Sequence, residues 1–286
     1  MKSMLKGAAR GLARRLGFEI TSLRGLPDDA FPAWTAVDAP LPDDQAIAGP
    51  WVSNVLEMVT HAHRPARLAY HRRSYGEDPR IKYAAFFLDL RGLRVLELGP
   101  FEGYWTVLLE KMGVRENVAI ELRPENLARC RRVKELYGLD RTSFVAQNIE
   151  HLYEGKEPPA YDGPFDLVFC CGLLYHLPEP AKALRWTRTQ APRLFLGTHY
   201  VEPAESRRYL SENFAPAELR DGDRTYRGMN YREGGLSDPI SGASPSSFWP
   251  HEADLVAMVR AAGYGRVDVL GKDLLNRMPH ITLIAE

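Results

Sequence analysis

The stretch VLELGPFEGYWT, residues 95–106, decides the fold of this chain. A mostly apolar run leads into two glycines four positions apart, Gly99 and Gly103. An apolar run that ends on glycine and continues into a helical pattern is typical of a buried strand followed by a helix. Gly99 permits a sharp turn and a close approach of the backbone to a ligand, because it has no Cβ. The stretch therefore predicts a strand, a tight turn beside a ligand, and a helix.

The chain repeats this alternation from residue 92 onward. The predicted strands are LRVLELG, NVAIEL, TSFVAQN, FDLVFCCG and RLFLGTHYV, and the predicted helices between them are YWTVLLEKMG, PENLARCRRVKELYG and EPAKALRWTRTQ. A last helix, PHEADLVAMVRAAGYG, precedes two short strands, RVDVLG and HITLIAE. Strands that alternate with helices of about 10–15 residues predict an α/β fold with a parallel sheet covered on both faces.

Composition excludes several classes of protein. Lys plus Arg number 37 and Asp plus Glu number 37, so the net charge of zero disfavours a surface that is basic throughout for duplex DNA. We expect no transmembrane segment, because no apolar run approaches the ~18–20 residues that span a bilayer. Three cysteines, two of them adjacent at Cys170 and Cys171, make no disulfide framework and favour a reducing cytoplasm.

Residues 1–90 are expected to form a helical N-terminal extension, ahead of the α/β domain over residues 91–286. The segment MKSMLKGAARGLARRLGFEI has helical, amphipathic spacing with a basic face. It either packs on its own domain or lies on a membrane surface. A second basic cluster, HAHRPARLAYHRRSYGEDPRIK, is either a solvated surface or faces an anionic substrate.

A long insertion interrupts the alternating pattern between about residues 202 and 249. It is rich in Gly, Ser, Pro and aromatic residues, as in GDRTYRGMNYREGGLSDPISGASPSSFW. Long insertions in compact domains are usually functional lids or linkers, and the aromatic and Arg residues favour a lid. In SSFWPHEADL we expect a helix start with Pro250 in its first turn.

The turn after the first strand favours one kind of nucleotide cofactor. A dinucleotide site has the pattern G-x-G-x-x-G, but Phe101 stands where its second glycine would fall. Glu97, before the first glycine, would repel phosphate and suits a ligand with ammonium and sulfonium centres. Glu121, at the end of the second strand, could bind two ribose hydroxyls with its two oxygens. The residues therefore favour a nucleoside that carries an amino acid over a dinucleotide.

Four segments in order resemble class I S-adenosylmethionine-dependent methyltransferases. They are VLELGPFEGYWT, VAIELRPENL, FVAQNIEHL and FDLVFCCGLLYHLPEPAKALR, and the resemblance covers roughly residues 80–286. GLLYHLPEP and FWPHEADLVAMVRAAGY are further similar to the bacterial branch that includes the tRNA wobble-uridine carboxymethyltransferase. The resemblance implies a Rossmann-like, doubly wound, seven-stranded sheet that binds S-adenosyl-L-methionine.

The resemblance also implies a set of cofactor residues. Glu97, Gly99 and Gly103 would surround the methionine part of the cofactor, and Glu121 would hold the ribose. Asn148 falls where many relatives have Asp and either accepts from the adenine amine or only caps a helix. The implied cofactor set is Glu97, Gly99, Pro100, Gly103, Glu121, Asn148, Cys171 and Gly172.

The chemistry of methyl transfer requires alignment of the donor with the acceptor and, for a hydroxyl acceptor, a base. His176 follows the fourth strand and is either that base or a residue that orders its loop. Tyr175 beside it either supplies a polar group to the site or only packs against its neighbours. His199 and Glu202 lie past the fifth strand, a set too small to predict a metal site, so metal dependence stays open. The candidate substrate residues are His199, Tyr226, Arg227, Tyr231, Arg232 and Trp249, with His251 beside them.

Together these observations predict a methyltransferase that acts on an oxygen of a small polar acceptor, such as a saccharide or a natural product. A lid and a balanced net charge favour such an acceptor over a macromolecule. Two alternatives remain open. The basic segments would suit tRNA, as in the wobble-uridine relative, and would make binding depend on salt. A non-catalytic module that binds S-adenosylmethionine would show cofactor binding without turnover.

Overall fold

The structure is a computed structural model that describes residues 79–203, 213–238, 240–275 and 278–286. The predicted basic N-terminal helix lies outside the described residues, and so does most of the second basic cluster. In the part of the chain that is described, no helix is long and apolar enough to cross a membrane.

A seven-stranded sheet forms the centre of the fold, as predicted. Its strand order is β3-β2-β1-β4-β5-β10-β9, in which β1 to β5 run parallel and β10 is antiparallel to both of its neighbours. The strands of this sheet are β1 (Arg94–Leu98), β2 (Glu116–Glu121), β3 (Thr142–Ala146), β4 (Leu167–Cys171), β5 (Arg193–His199), β9 (Val267–Leu275) and β10 (Met278–Ala285).

Helices cover the two faces of the sheet. On one face Phe169 stacks on Phe195 with ring centroids 4.9 Å apart and contacts Trp105 of α2 at 5.1 Å. On the other face Val168 and Leu184 belong to the largest apolar core. The helices are α1 (Pro79–Phe87), α2 (Tyr104–Lys111), α3 (Pro124–Tyr137), α4 (Ile149–Tyr153), α5 (Pro180–Gln190) and α6 (Glu252–Ala261).

Local sequence signals set several helix ends. Pro124 occupies the first turn of α3, where its missing N–H costs nothing, and Gly138 ends that helix in the left-handed region at φ +60°. Helix α1, which falls inside the predicted N-terminal extension, packs on the sheet edge: Tyr83 Oη donates to Asp273 of β9 at 3.2 Å. A Cβ at Gly271 would clash with that hydroxyl, so a larger residue there would force the ring of Tyr83 to move.

The insertion is more regular than a lid loop. It forms a separate antiparallel sheet in the order β6-β7-β8, with β6 at Phe214–Asp221, β7 at Arg224–Arg232 and β8 at Ser246–Pro250. The predicted helix start at Pro250 is wrong. Pro250 ends β8, and α6 begins at Glu252 after the N-cap residue His251, because pairing with β7 extends the chain through Pro250.

The small sheet is fixed to the carboxyl end of the main sheet. The backbone N–H of Phe248 donates to the carbonyl oxygen of Leu177 at 3.1 Å, and that of Val201 donates to Pro250 at 3.0 Å. In open α/β sheets, ligands bind at this edge where the strand order reverses, which here is between β1 and β4. The insertion therefore lies against the edge where a ligand is expected.

Candidate functional site

The turn between β1 and α2 has an unusual backbone. Gly99, Phe101 and Gly103 have φ values of +66°, +58° and +85°, in the region that favours glycine. The N–H of Gly103 donates to the carbonyl of Pro100 at 2.8 Å and closes the turn. A Cβ at Gly99 would lie 3.3 Å from Leu173, so the turns after β1 and β4 meet where the strand order reverses.

Glu121 holds this turn in place from the end of β2. Its carboxylate accepts the N–H of Phe101 at 3.2 Å and the N–H of Arg123 at 2.9 Å, and Asn126 also hydrogen-bonds to it. Only 7% of the residue is exposed, and burial raises the pKa of its carboxyl, although these hydrogen bonds oppose the shift. A carboxylate has about four acceptor sites, so Glu121 keeps capacity for a ribose hydroxyl.

Glu97 lies beneath the turn rather than at its opening. Its carboxylate accepts from Thr106 Oγ1 at 2.8 Å and from Asn117 Nδ2 at 2.7 Å, and 1% of the residue is exposed. Burial raises the pKa of Glu97 to about 7, although both hydrogen bonds lower it. Its contact with a cofactor stays a prediction, and the geometry favours an indirect role: Glu97 ties α2 and β2 to β1.

Gly103 and Asn148 have clear local roles as well. A Cβ at Gly103 would lie 3.2 Å from Val133 of α3, so this glycine allows the two helices to pack closely, and its contact with the cofactor stays a prediction. Asn148 caps α4, because its Oδ1 accepts the N–H of Glu150 at 2.9 Å. An amide oxygen can accept twice, so the predicted contact of Asn148 with adenine stays a prediction.

The end of β4 supplies the central part of the site. Cys171 is buried at the strand end, and Gly172 follows at φ +104°. Among the described residues, a Cβ at Gly172 would meet only Tyr175 Oη, at 3.9 Å, so these residues leave open space in front of its backbone. A single 3₁₀ turn, Leu174–His176, then carries both predicted catalytic residues.

His176 is bound to a carboxylate that the sequence analysis missed. Its Nδ1 lies 3.1 Å from Oε1 of Glu233, which follows β7 in the insertion. The Glu233 side chain is fully buried and that of His176 is 19% exposed. Burial alone would raise the pKa of Glu233, but hydrogen bonds from His176, Ser241 and Ser247 outweigh it and lower the pKa below its usual value. Because an ionised carboxylate only accepts hydrogen bonds, the ring nitrogen that faces Glu233, Nδ1, is the one that carries a proton.

An aromatic cluster packs beside this pair. His199 stacks on Trp249 at 5.1 Å, and Tyr175 contacts the two rings edge-on at 4.6 and 5.5 Å. Phe214 and Tyr231 enclose Trp249 from the small sheet. Burial lowers the pKa of His199 to about 4 and raises that of Tyr175 to about 12, so both are neutral near pH 7. The structure thus brings four predicted residues together: Tyr175, His199, Tyr231 and Trp249.

The other predicted substrate residues, Tyr226, Arg227 and Arg232, do not belong to the aromatic cluster. Tyr226 is 3% exposed and belongs to the main apolar core. Arg227 is exposed on β7 and lines a shallow recess of about 380 Å³ with His251 and Asp254. Arg232 is exposed at the end of β7. Among the described residues, no group of three His, Cys, Asp or Glu side chains is arranged to hold a metal ion.

The carboxyl ends of β1, β2 and β4 form an edge that fits a nucleoside that carries an amino acid. It offers a carboxylate at Glu121, an open glycine backbone at Gly172 and a turn in which Phe101 takes the place of a phosphate-binding glycine. The donors and acceptors near the turn suit hydroxyl groups rather than a pyrophosphate, which prefers glycine N–H groups and positive charge.

Comparisons with known proteins agree with this geometry. Residues 62–221 match the family described as a methyltransferase domain. The N-terminal domain of EvdMO1, crystallised in the presence of SAH and D-fucose, is 28% identical, with a TM-score of 0.58 over 74% of this chain and 84% of that chain.

Two curated relatives match shorter parts. The ubiquinone biosynthesis O-methyltransferase of Xanthomonas oryzae pv. oryzae is 32% identical over 131 residues, which are 44% of this chain and 51% of that protein. The tRNA U34 carboxymethyltransferase of Campylobacter hominis is 24% identical over 120 residues, 41% of this chain and 39% of that protein. The chain thus spans about half the length, or less, of these curated relatives.

Proposed function

The chain belongs to the methyltransferase domain family, and we propose that it transfers a methyl group from S-adenosylmethionine to an oxygen of a small polar acceptor, such as a saccharide or a natural product. The observation that carries the proposal is the pairing of His176 with Glu233 directly after β4, beside the edge that fits a nucleoside.

The cofactor residues follow from the site. Glu121 would hold the ribose, and the backbone of Gly99 and Gly172 would adjoin the amino-acid part. S-adenosylmethionine, when bound, supplies a methyl group on a positively charged sulfur. The EvdMO1 domain crystallised with SAH supports this choice of donor. Asn148 and Cys171, at the ends of β3 and β4, also belong to the proposed set. Glu97, Pro100 and Gly103, in and beneath the turn after β1, complete it.

His176 acts as the base in this proposal. Its Nε2 accepts the proton of the acceptor hydroxyl, while its Nδ1 proton stays directed at Glu233. The carboxylate stabilises the positive charge that the ring acquires. A positioned base of this kind contributes about 10²–10⁴-fold in rate, and an oxygen acceptor needs it because a neutral hydroxyl is a weak nucleophile.

A small acceptor is favoured by the groups next to His176. Tyr175 and His199 are neutral near pH 7, and the aromatic cluster offers apolar surface. Among the described residues, Arg80 is a cation whose charge acts on both groups. The relatives that act in ubiquinone biosynthesis and the neighbour crystallised with D-fucose support an oxygen acceptor on a ring compound.

The test is a methyl-transfer assay with S-adenosylmethionine labelled in its methyl group. The acceptors are neutral saccharides that include D-fucose, simple phenols and bulk tRNA. We expect base-stable labelled methyl ethers of a saccharide or phenol, and a loss of about 10²-fold or more in His176→Asn. His151→Asn, at a half-exposed histidine on α4, is the matched control. Label on tRNA alone, or full activity of His176→Asn, would contradict the proposal.

A further inference from the structure

Part of the insertion crosses the carboxyl edge of the main sheet. We call residues 233–238 and 240–244 the strap. The guanidinium of Arg123, just past β2, donates to the carbonyl oxygens of Gly235, Leu236 and Ser241 at 3.1, 2.9 and 2.6 Å. The strap is thus tied to the loop that also carries the backbone N–H bound by Glu121.

Two more contacts tie the strap to the segments that follow β3 and β4. Ser244 Oγ donates to Glu150 at 2.6 Å, in the helix that follows β3. Glu233 binds His176 in the turn that follows β4. The strap is therefore attached after three parallel strands, β3, β2 and β4, and it spans the end of β1, which lies between β2 and β4. If the proposed function holds, this edge is where the cofactor binds, so the strap lies over the cofactor site.

Inside the strap, Glu233 is held rigidly. Its Oε2 accepts from Ser241 Oγ at 2.5 Å and from the N–H of Gly242 at 2.7 Å, and its Oε1 accepts from Ser247 Oγ at 2.6 Å. These donors fix the direction in which the carboxylate faces Nδ1 of His176. Since all of them belong to the insertion, the orientation of His176 depends on where the insertion lies.

The attachment of the strap is mainly polar. Its two large apolar side chains, Leu236 and Ile240, are 64% and 56% exposed and so bury little surface. A segment held by hydrogen bonds with few buried apolar contacts opens at a low cost in free energy. Opening of the strap would therefore break polar contacts rather than the apolar core of the sheet behind it.

We propose that Glu233 is a positioning residue for His176 and that Arg123 docks the strap which delivers it, so that the base is assembled only when the strap is closed. This inference rests on the proposed function for its chemistry. Closure then couples two events at one site: the cofactor cleft is covered, and His176 receives the carboxylate that holds its proton on Nδ1.

The first test compares Glu233→Gln, Glu233→Asp and the unaltered chain in the methyl-transfer assay. Gln keeps the size of the side chain and removes its charge. We expect kcat to fall about 10²-fold or more, by analogy with the loss of the carboxylate from a histidine pair, while the acceptor KM and the affinity for S-adenosylhomocysteine stay within about threefold. Glu233→Asp should recover part of kcat. An unchanged kcat in Glu233→Gln would overturn the proposal.

The second test addresses docking through Arg123. Arg123→Met keeps much of the chain length and removes the donors, and Arg132→Met, at an arginine on α3 whose side chain is 36% exposed, is the matched control. We expect faster hydrogen exchange at the amide of Gly242 and a lower kcat in Arg123→Met only. Unchanged exchange and kcat in Arg123→Met would overturn the docking role.

A readout without an acceptor separates this inference from the proposed function. Nitrogen NMR of ¹⁵N-labelled histidine should show His176 with its proton on Nδ1 in the unaltered chain and a mixture of tautomers in Arg123→Met. If no acceptor is methylated, the proposed function fails, and this spectrum still decides whether the strap orients His176. A proton on Nε2 in the unaltered chain would overturn the proposal directly.

Discussion

Gly103 combines two constraints at a single residue. It has φ +85°, and a Cβ there would lie 3.2 Å from Val133. Gly138 has φ +60°, but no atom of the described residues lies within 4 Å of its Cβ position. Alanine at Gly138 should cost only the left-handed backbone, about 1–2 kcal/mol. Alanine at Gly103 should lower the free energy of unfolding further, because α2 and α3 must also separate. Urea denaturation of both variants measures the difference, and equal losses would contradict the packing role of Gly103.

Glu97 should make stability depend on pH. Its ordinary pKa is 4.5 and burial raises it to about 7 in the folded chain. Below pH 4.5 the carboxyl is protonated in both the folded and the unfolded chain, so it does not change the free energy of unfolding. Between pH 4.5 and 7 the unfolded chain releases the proton first, so the free energy of unfolding falls by about 1.4 kcal/mol per pH unit.

Glu97→Gln should remove this dependence, because a neutral amide can still accept from Thr106 and Asn117. Relative to the unaltered chain, the variant should gain stability between pH 5 and pH 8, which urea denaturation at both values would show. Identical pH dependence in the two chains would mean that Glu97 keeps an ordinary pKa.

Among the elements, the small sheet is the part that depends most on one side chain. Trp249 of β8 is 6% exposed and contacts His199, Phe214, Tyr231 and Tyr175. Removal of a buried Trp side chain costs about 3–5 kcal/mol. Trp249→Ala should lower the denaturation midpoint strongly, whereas Leu274→Ala, at a residue 72% exposed on β9, should change it little. A small effect of Trp249→Ala would show that the aromatic cluster does not anchor the insertion.

The elements of the main sheet could be predicted because their signals are local. Buried apolar strands such as LVFCC and helix ends such as Pro124 and Gly138 appear in the sequence itself. The β6–β7 hairpin also had a local signal, since Gly222 stands in a tight turn at φ +59° between Asp221 and Arg224. The abundance of Gly, Ser and Pro in the insertion obscured it and favoured an irregular lid.

For the molecule as a whole, the location of the site could be predicted from the sequence, but the contacts between its side chains could not. Parallel topology alone places the turns after β1, β2 and β4 at one edge. The contact between His176 and Glu233 joins residues 57 positions apart and depends on how the insertion folds back. No local pattern marks Glu233 or Arg123, because their partners lie in distant segments of the chain.

If the methyl donor binds at this edge through Glu121, a calorimetric titration of the unaltered chain and of a variant without that carboxylate will show it. S-adenosylhomocysteine is titrated into the unaltered chain, Glu121→Ala and Glu125→Ala, an exposed carboxylate on α3, with NAD as the control ligand. We predict micromolar binding to the unaltered chain and to Glu125→Ala, a loss of about tenfold or more in Glu121→Ala, and no binding of NAD. Equal binding to the unaltered chain and to Glu121→Ala, or tighter binding of NAD, would show that this edge does not bind the methyl donor through Glu121.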